Sequence, residues 1–92
     1  MYKLRSTKVY RTAFKKATRH KDFKIHKYNK VIDLLLAGEP LPQAYKDHAL
    51  TGNFKGFREC HIQNDLLLMY QKHEDILVLL LINIGSHSKL FK

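Results

Sequence analysis

Between Asp47 and Asp65 the chain gathers His48, His61, Lys55 and Arg58, with a carboxylate at each end, inside nineteen residues. A second polar knot, Gly85-Ser86-His87-Ser88-Lys89, lies near the C-terminus. Histidine is the side chain best suited to give or take a proton near neutral pH. Cleavage of an RNA strand needs both acts. A base removes the ribose 2′-OH proton as that oxygen attacks the adjacent phosphorus in line. An acid protonates the departing 5′-oxygen, and a donor or cation holds the charge that gathers on the phosphoryl oxygens. His48, His61, His87 and Asp65, with Lys55, Arg58 and Lys89, contain such a set without a metal. The set acts only if these residues converge, and spacing alone does not show that. Taken singly, each histidine reads as an ordinary residue, and His20, His26 and His73 are assigned to the surface.

Other chemistries find less support. His61 and Asp65 stand four apart across an expected turn, not on one helix face, and there is no HExxH or paired CxxC, so no metal is called for. No glycine-rich phosphate loop is present, which argues against nucleotide hydrolysis and leaves no cofactor implied. Cys60 is the one cysteine, which excludes an internal disulfide and fits a reducing compartment, the cytosol. The longest apolar run, residues 76–82, is far short of the ~20 residues a membrane span needs. No apolar signal core follows the basic N-terminus.

The elements that must position these residues follow from pattern. Ninety-two residues make one domain, 1–92, with one modest core. The net charge is +9, and eleven of the seventeen lysines and arginines fall in residues 1–30, against the single acid Asp22. Such a field attracts phosphate backbones or an acidic protein segment, although a solvated helix face has the same composition. Residues 2–4 read as a short edge strand. Ser6 or Thr7 is a helix N-cap, and Tyr10, Ala13, Phe14 and Ala17 recur as one apolar helical stripe. Asp22 is expected to cap a second helix with Tyr28, Val31, Ile32, Leu35 and Leu36 on one face, ended by Gly38, Pro40 and Pro42. Tyr10, Phe14 and Tyr28 at this spacing belong to the core and not to base stacking.

A loop bracketed by Gly52 and Gly56 comes next. Residues 57–63 alternate as a strand, with Phe57, Glu59 and His61 on one face and Arg58, Cys60 and Ile62 on the other. Asn64-Asp65 is a turn, 66–70 a buried strand, His73-Glu74-Asp75 a second turn, and 76–84 a long apolar strand expected at the sheet's centre. The pattern predicts an α+β fold in which an N-terminal helical hairpin packs on one face of a small, mainly antiparallel sheet, leaving the opposite face partly open.

The run Tyr45-Lys46-Asp47-His48-Ala49-Leu50, then Gly52 to Ile62 (GNFKGFRECHI), Asp65, and Gly85-Ser86-His87-Ser88-Lys89-Leu90-Phe91 closely resembles the YafQ-type branch of the RelE/ParE toxin superfamily. The resemblance covers the whole chain in element order and is most specific from residue 45 to 91. It implies a microbial RNase-like fold and ribosome-dependent cleavage of mRNA in the A site, which stops translation. It also implies an antitoxin encoded alongside, which binds through an extended or helical segment and whose acidic residues the basic surface would attract. Operator DNA is implied as a partner only of the toxin–antitoxin complex. Carried over, the resemblance places His48, His61, Asp65 and His87 at active-site positions. His87 becomes the general acid, Lys46 and Lys55 phosphate-holding residues, and Phe91 a base-positioning aromatic; the resemblance does not settle the base, which the residue chemistry assigns to His48 or His61. A C-terminal plug over the core is the plainer role for Phe91.

This chain departs from the pattern at two places. Active members usually carry an arginine four residues before the terminal histidine, where this chain has Asn83, and some relatives have tryptophan where it has Leu66. Asparagine donates a hydrogen bond without charge, and losing one transition-state donor costs ~3–4 kcal/mol, a hundredfold or more in rate. Three readings follow: an active ribosome-dependent endoribonuclease, a weakened toxin that still binds antitoxin and ribosome, and a non-enzymatic basic binding module.

Overall fold

The computed structural model describes residues 1–91. Strand β1 (Lys3–Ser6) leads into helices α1 (Lys8–Arg19) and α2 (Ile25–Leu36). A short strand β2 (His48–Ala49), then β3 (Arg58–Gln63), β4 (Leu66–His73), β5 (Val78–Gly85) and a one-turn helix α3 (His87–Leu90) complete the order. Gln43–Tyr45 and Gly52–Phe54 are single 3-10 turns in the long connection.

Local chemistry explains the helix ends. Thr7 Oγ1 accepts from Tyr10 N–H at 3.0 Å and starts α1. Helix α2 stops at a Schellman motif: Glu39 N–H donates to Leu34 C=O and Gly38 N–H to Leu35 C=O, with Gly38 at φ +75°. A Cβ at Gly38 would meet the Tyr2 ring at 3.5 Å, an ordinary van der Waals contact, so it is the left-handed backbone and not crowding that calls for glycine. Asp22 does not cap α2, contrary to expectation. The cap position is Lys24, with no side-chain bond. Gln63 holds this connection instead, donating to Asp22 C=O at 2.7 Å and accepting from Lys24 N–H at 2.9 Å.

The five strands form one sheet in the order β1-β5-β4-β3-β2, with β1 parallel to β5 and the other pairs antiparallel. The helical hairpin covers one face, where Val31, Ile32 and Leu35 of α2 meet Cys60, Leu68, Tyr70 and Leu79. The Tyr10 and Tyr28 hydroxyls satisfy each other at 2.6 Å. Burial first, then this pairing, raises the Tyr10 phenol well above its ordinary range.

Three sequence expectations shift. The centre of the sheet is β4, with β5 one place off centre. Strand β5 begins at Val78, because Ile76 and Leu77 belong to the turn and stand 64% and 48% exposed. The second sheet face is less open than expected. Leu67, Met69 and Leu90 are buried there under Leu50, Phe54, Phe57, Ile82 and Phe91.

Candidate active site

Alternation along β3 sends Cys60 and Ile62 to the helix side and Glu59 and His61 to the second face. On the neighbouring edge, β2 consists of two residues, and its register sets His48 directly opposite Glu59. Three chemical side chains therefore meet. His48 Nε2 lies 3.6 Å from Glu59 Oε1, and His61 Nε2 lies 3.9 Å from the same oxygen. The carboxylate side chain is 5% exposed, against 49% and 35% for the two imidazoles, so the rings face solvent while the charge between them does not. Glu59 Oε2 has no hydrogen-bond partner among the described residues. An unpaired buried oxygen is costly in a purely structural role.

His48 is oriented from behind. Lys46 adopts φ +51°, and its carbonyl oxygen accepts from His48 Nδ1–H at 2.6 Å, so Nε2 is the nitrogen left for exchange. Asp47, between them, is anchored by Arg58 Nε at 3.3 Å, Arg58 Nη2 at 3.2 Å and the Tyr70 hydroxyl. Arg58 thus spends two donors on Asp47, and that bond raises its already high pKa further. Burial, followed by the Asp47 contact, pushes the Tyr70 phenol above its ordinary range. This triad secures the strand that carries His48.

The C-terminal half of the site is tied to the β3–β4 turn. Asp65, at φ +52°, accepts from the backbone N–H of His87 at 3.3 Å. Ser86 caps the same helix by accepting from Lys89 N–H. His87 and Phe91 lie with ring centroids 5.0 Å apart, and Phe91 meets Phe54 edge-on at 5.1 Å. Phe91 therefore packs in the second core cluster and also touches His87.

A cleft of about 400 Å³ unites Lys46, His61 and Asp65. Lys55 is exposed at the end of the Gly52–Phe54 turn. Asn83 pairs with Met69 across the sheet beside a bulge in β5, and its Oδ1 accepts from Ile84 N–H at 2.9 Å. The structure thus joins His48 to His61 through Glu59, and Asp65 to His87 and Phe91. Sequence reasoning placed Glu59 on the His61 face but did not select it. The available signal was a carboxylate two residues before His61, on the same face of an alternating strand. Phe54, which composition assigns to the loop, packs instead in the second core cluster against Phe91. Among the described residues no group of three or more His, Cys, Asp or Glu side chains is arranged to hold a metal ion.

Residues 2–92 match the family described as bacterial toxin of type II toxin–antitoxin system, YafQ. Over 74 residues, 79% of this chain and 76% of its counterpart, the sequence is 39% identical to the mRNA interferase toxin YafQ of Escherichia coli K12. A 45-residue stretch is 58% identical to a YafQ toxin of Haemophilus influenzae, covering 49% of this chain and 44% of that protein. A copper-bound mutant toxin from Helicobacter pylori superposes with a TM-score of 0.90 at 41% identity, covering 99% of this chain and 100% of that one. The E. coli DinJ–YafQ complex gives 0.84 at 31% identity, covering 100% of both chains.

Proposed function

We propose, on the premise that this chain belongs to the YafQ family of bacterial type II toxin–antitoxin toxins, that it is an endoribonuclease which cleaves mRNA in the ribosomal A site by metal-independent acid–base chemistry. Relatives named mRNA interferase support the reaction class. The observation that carries the reading is the buried Glu59 carboxylate shared by two half-exposed imidazoles.

His48 or His61 takes the 2′-OH proton, with the Glu59 carboxylate beside the Nε2 atoms of both rings to offset the positive charge the base acquires. The 2′-oxygen attacks phosphorus and the 5′-oxygen leaves, taking its proton from His87. The products are a 2′,3′-cyclic phosphate and a 5′-hydroxyl. Asp65 holds His87 by its backbone, and Phe91 fixes the ring and presents an aromatic edge to a base. Lys46 and Lys55 hold phosphates, while Arg58 acts chiefly by anchoring Asp47. The partner that silences the reaction is an antitoxin, as DinJ assembles with YafQ in E. coli.

A second reading, a weakened toxin, is favoured by Asn83. It carries no charge, and its oxygen is committed to Ile84 N–H. One assay separates the two. Message is followed in a purified translation system containing wild type, His87→Ala or Asn83→Arg. Loss of full-length message with wild type, abolished by His87→Ala, supports the active enzyme. Gain of about 10²–10³-fold on Asn83→Arg supports the weakened one. Intact message with wild type and Asn83→Arg at every dose overturns both.

A further inference from the structure

In-line attack on phosphorus gathers negative charge on the phosphoryl oxygens while the acid delivers its proton, and a fixed cation beside that acid stabilises the transition state. Most basic side chains near the site are placed elsewhere or already engaged. Arg58 is bound to Asp47 through Nε and Nη2. Lys46 lines the cleft at His61, and Lys55 follows the Gly52–Phe54 turn. Asn83, on the strand that leads into α3, carries no charge, and its Oδ1 accepts from Ile84 N–H.

Lys89 stands apart from these. It shares the one-turn helix α3 with His87, and its backbone N–H is held by Ser86, through the carbonyl oxygen at 3.1 Å and through Oγ at 3.4 Å. Its stem folds back on β5: Lys89 Cβ and Cδ lie 3.7 and 3.9 Å from where a Cβ on Gly85 would stand. Gly85 and Asn83 are two residues apart with regular pairing to Leu67 and Met69, so they share a sheet face. The stem therefore lies on the strand end that carries Asn83. Lys89, Asn83, Asp65 and Ser86 line one groove. That groove shares the wall Gln63, Asn64 and Asp65 with the cleft at His61, so the two halves of the site adjoin. Among the described residues no ion pair engages Lys89.

We propose that Lys89 is a catalytic residue of the cleavage, its ammonium holding the transition-state phosphate beside His87. It keeps its proton throughout, and the proton that reaches the 5′-oxygen still comes from His87. Lys8 and Lys16 line the same groove, but from α1, which carries none of the groups assigned to the reaction. The assignment rests on the endoribonuclease reading and accounts for activity with an uncharged residue at position 83.

Single-turnover message cleavage in the purified translation system tests it, with Lys89→Met and Lys89→Arg each made alone and together with Asn83→Arg. Methionine keeps an unbranched stem over Gly85 and removes the charge, so Lys89→Met should be about 10²-fold slower, while Lys89→Arg keeps most of the rate. With Asn83→Arg a second cation stands on the same strand end, and the loss on Lys89→Met should shrink to less than about tenfold. Aminoethylation of the Lys89→Cys variant restores an ammonium and should restore cleavage, since Cys60 is fully buried and shielded from the reagent. An undiminished rate in Lys89→Met, the same fractional loss in both backgrounds, or no recovery on aminoethylation overturns Lys89 as the cation. Cleavage by Asn83→Arg but not by wild type overturns it as well and leaves the endoribonuclease reading standing. Intact message with both overturns that reading itself.

Discussion

Glu59 is the residue on which the site's chemistry is most exposed to test. A carboxylate 4% exposed with one oxygen unpaired is a poor structural investment, since an isosteric neutral group would remove the cost of desolvating the charge. Glu59→Gln should therefore leave thermal stability equal or higher while lowering message cleavage by about 10²-fold or more. A variant that melts earlier but cleaves as wild type would assign Glu59 to structure alone. Arg58 makes the contrasting case. Two of its donors and the Tyr70 hydroxyl converge on Asp47, so the guanidinium that composition offers to phosphate is largely occupied within the fold.

Helix α3 has four residues, too few to persist without tertiary support. It is held by Asp65, by the Ser86 cap and by the Phe54–Phe91–His87 contact chain. If Asp65 serves by accepting the His87 N–H, an amide oxygen can replace it. Asp65→Asn should then retain most of the cleavage rate, and Asp65→Ala should lose about two- to twelvefold, the worth of one hydrogen bond of ~0.5–1.5 kcal/mol. Equal loss in both variants would mean that the carboxylate's charge or proton matters, not its position. The same two substitutions read by thermal melting should separate loosening of α3 from loss of the whole fold.

Across the whole molecule, burial holds the Cys60 thiol and the Tyr10 and Tyr70 phenols well above their ordinary pKa values. The folded chain keeps these protons at a pH where the unfolded chain releases them, so stability is full below the unfolded values and falls as pH rises past ~8.5 for the thiol and ~10 for the phenols. Each group adds a slope of about 1.4 kcal/mol per pH unit once its unfolded form is ionised. Urea unfolding between pH 8 and 9.5 should show the decline in wild type and a flatter profile in Cys60→Ala. Parallel profiles would show that the thiol does not contribute. The +9 charge acts at the same scale, drawing polyanions and acidic segments to a surface that is most basic in its first thirty residues.

The sequence by itself determined the elements whose information is local: the Thr7 cap, the α1 and α2 stripes, the Gly38 stop, the alternation of β3, and the residue types at positions 45–91 that carry the family resemblance. It misplaced Asp22, because side-chain capping competed there with Gln63, thirty-nine residues beyond Lys24 in the chain. It put Ile76 and Leu77 into a strand because apolar character alone does not reveal that a turn claims them, with Leu77 at φ +52°. Only the tertiary structure decided that His48 faces Glu59, since a two-residue strand has no periodicity and its register is set by the partner strand. Only the tertiary structure closed the distance from Asp65 to His87, twenty-two residues apart in sequence and joined through the hairpin that β4 and β5 form.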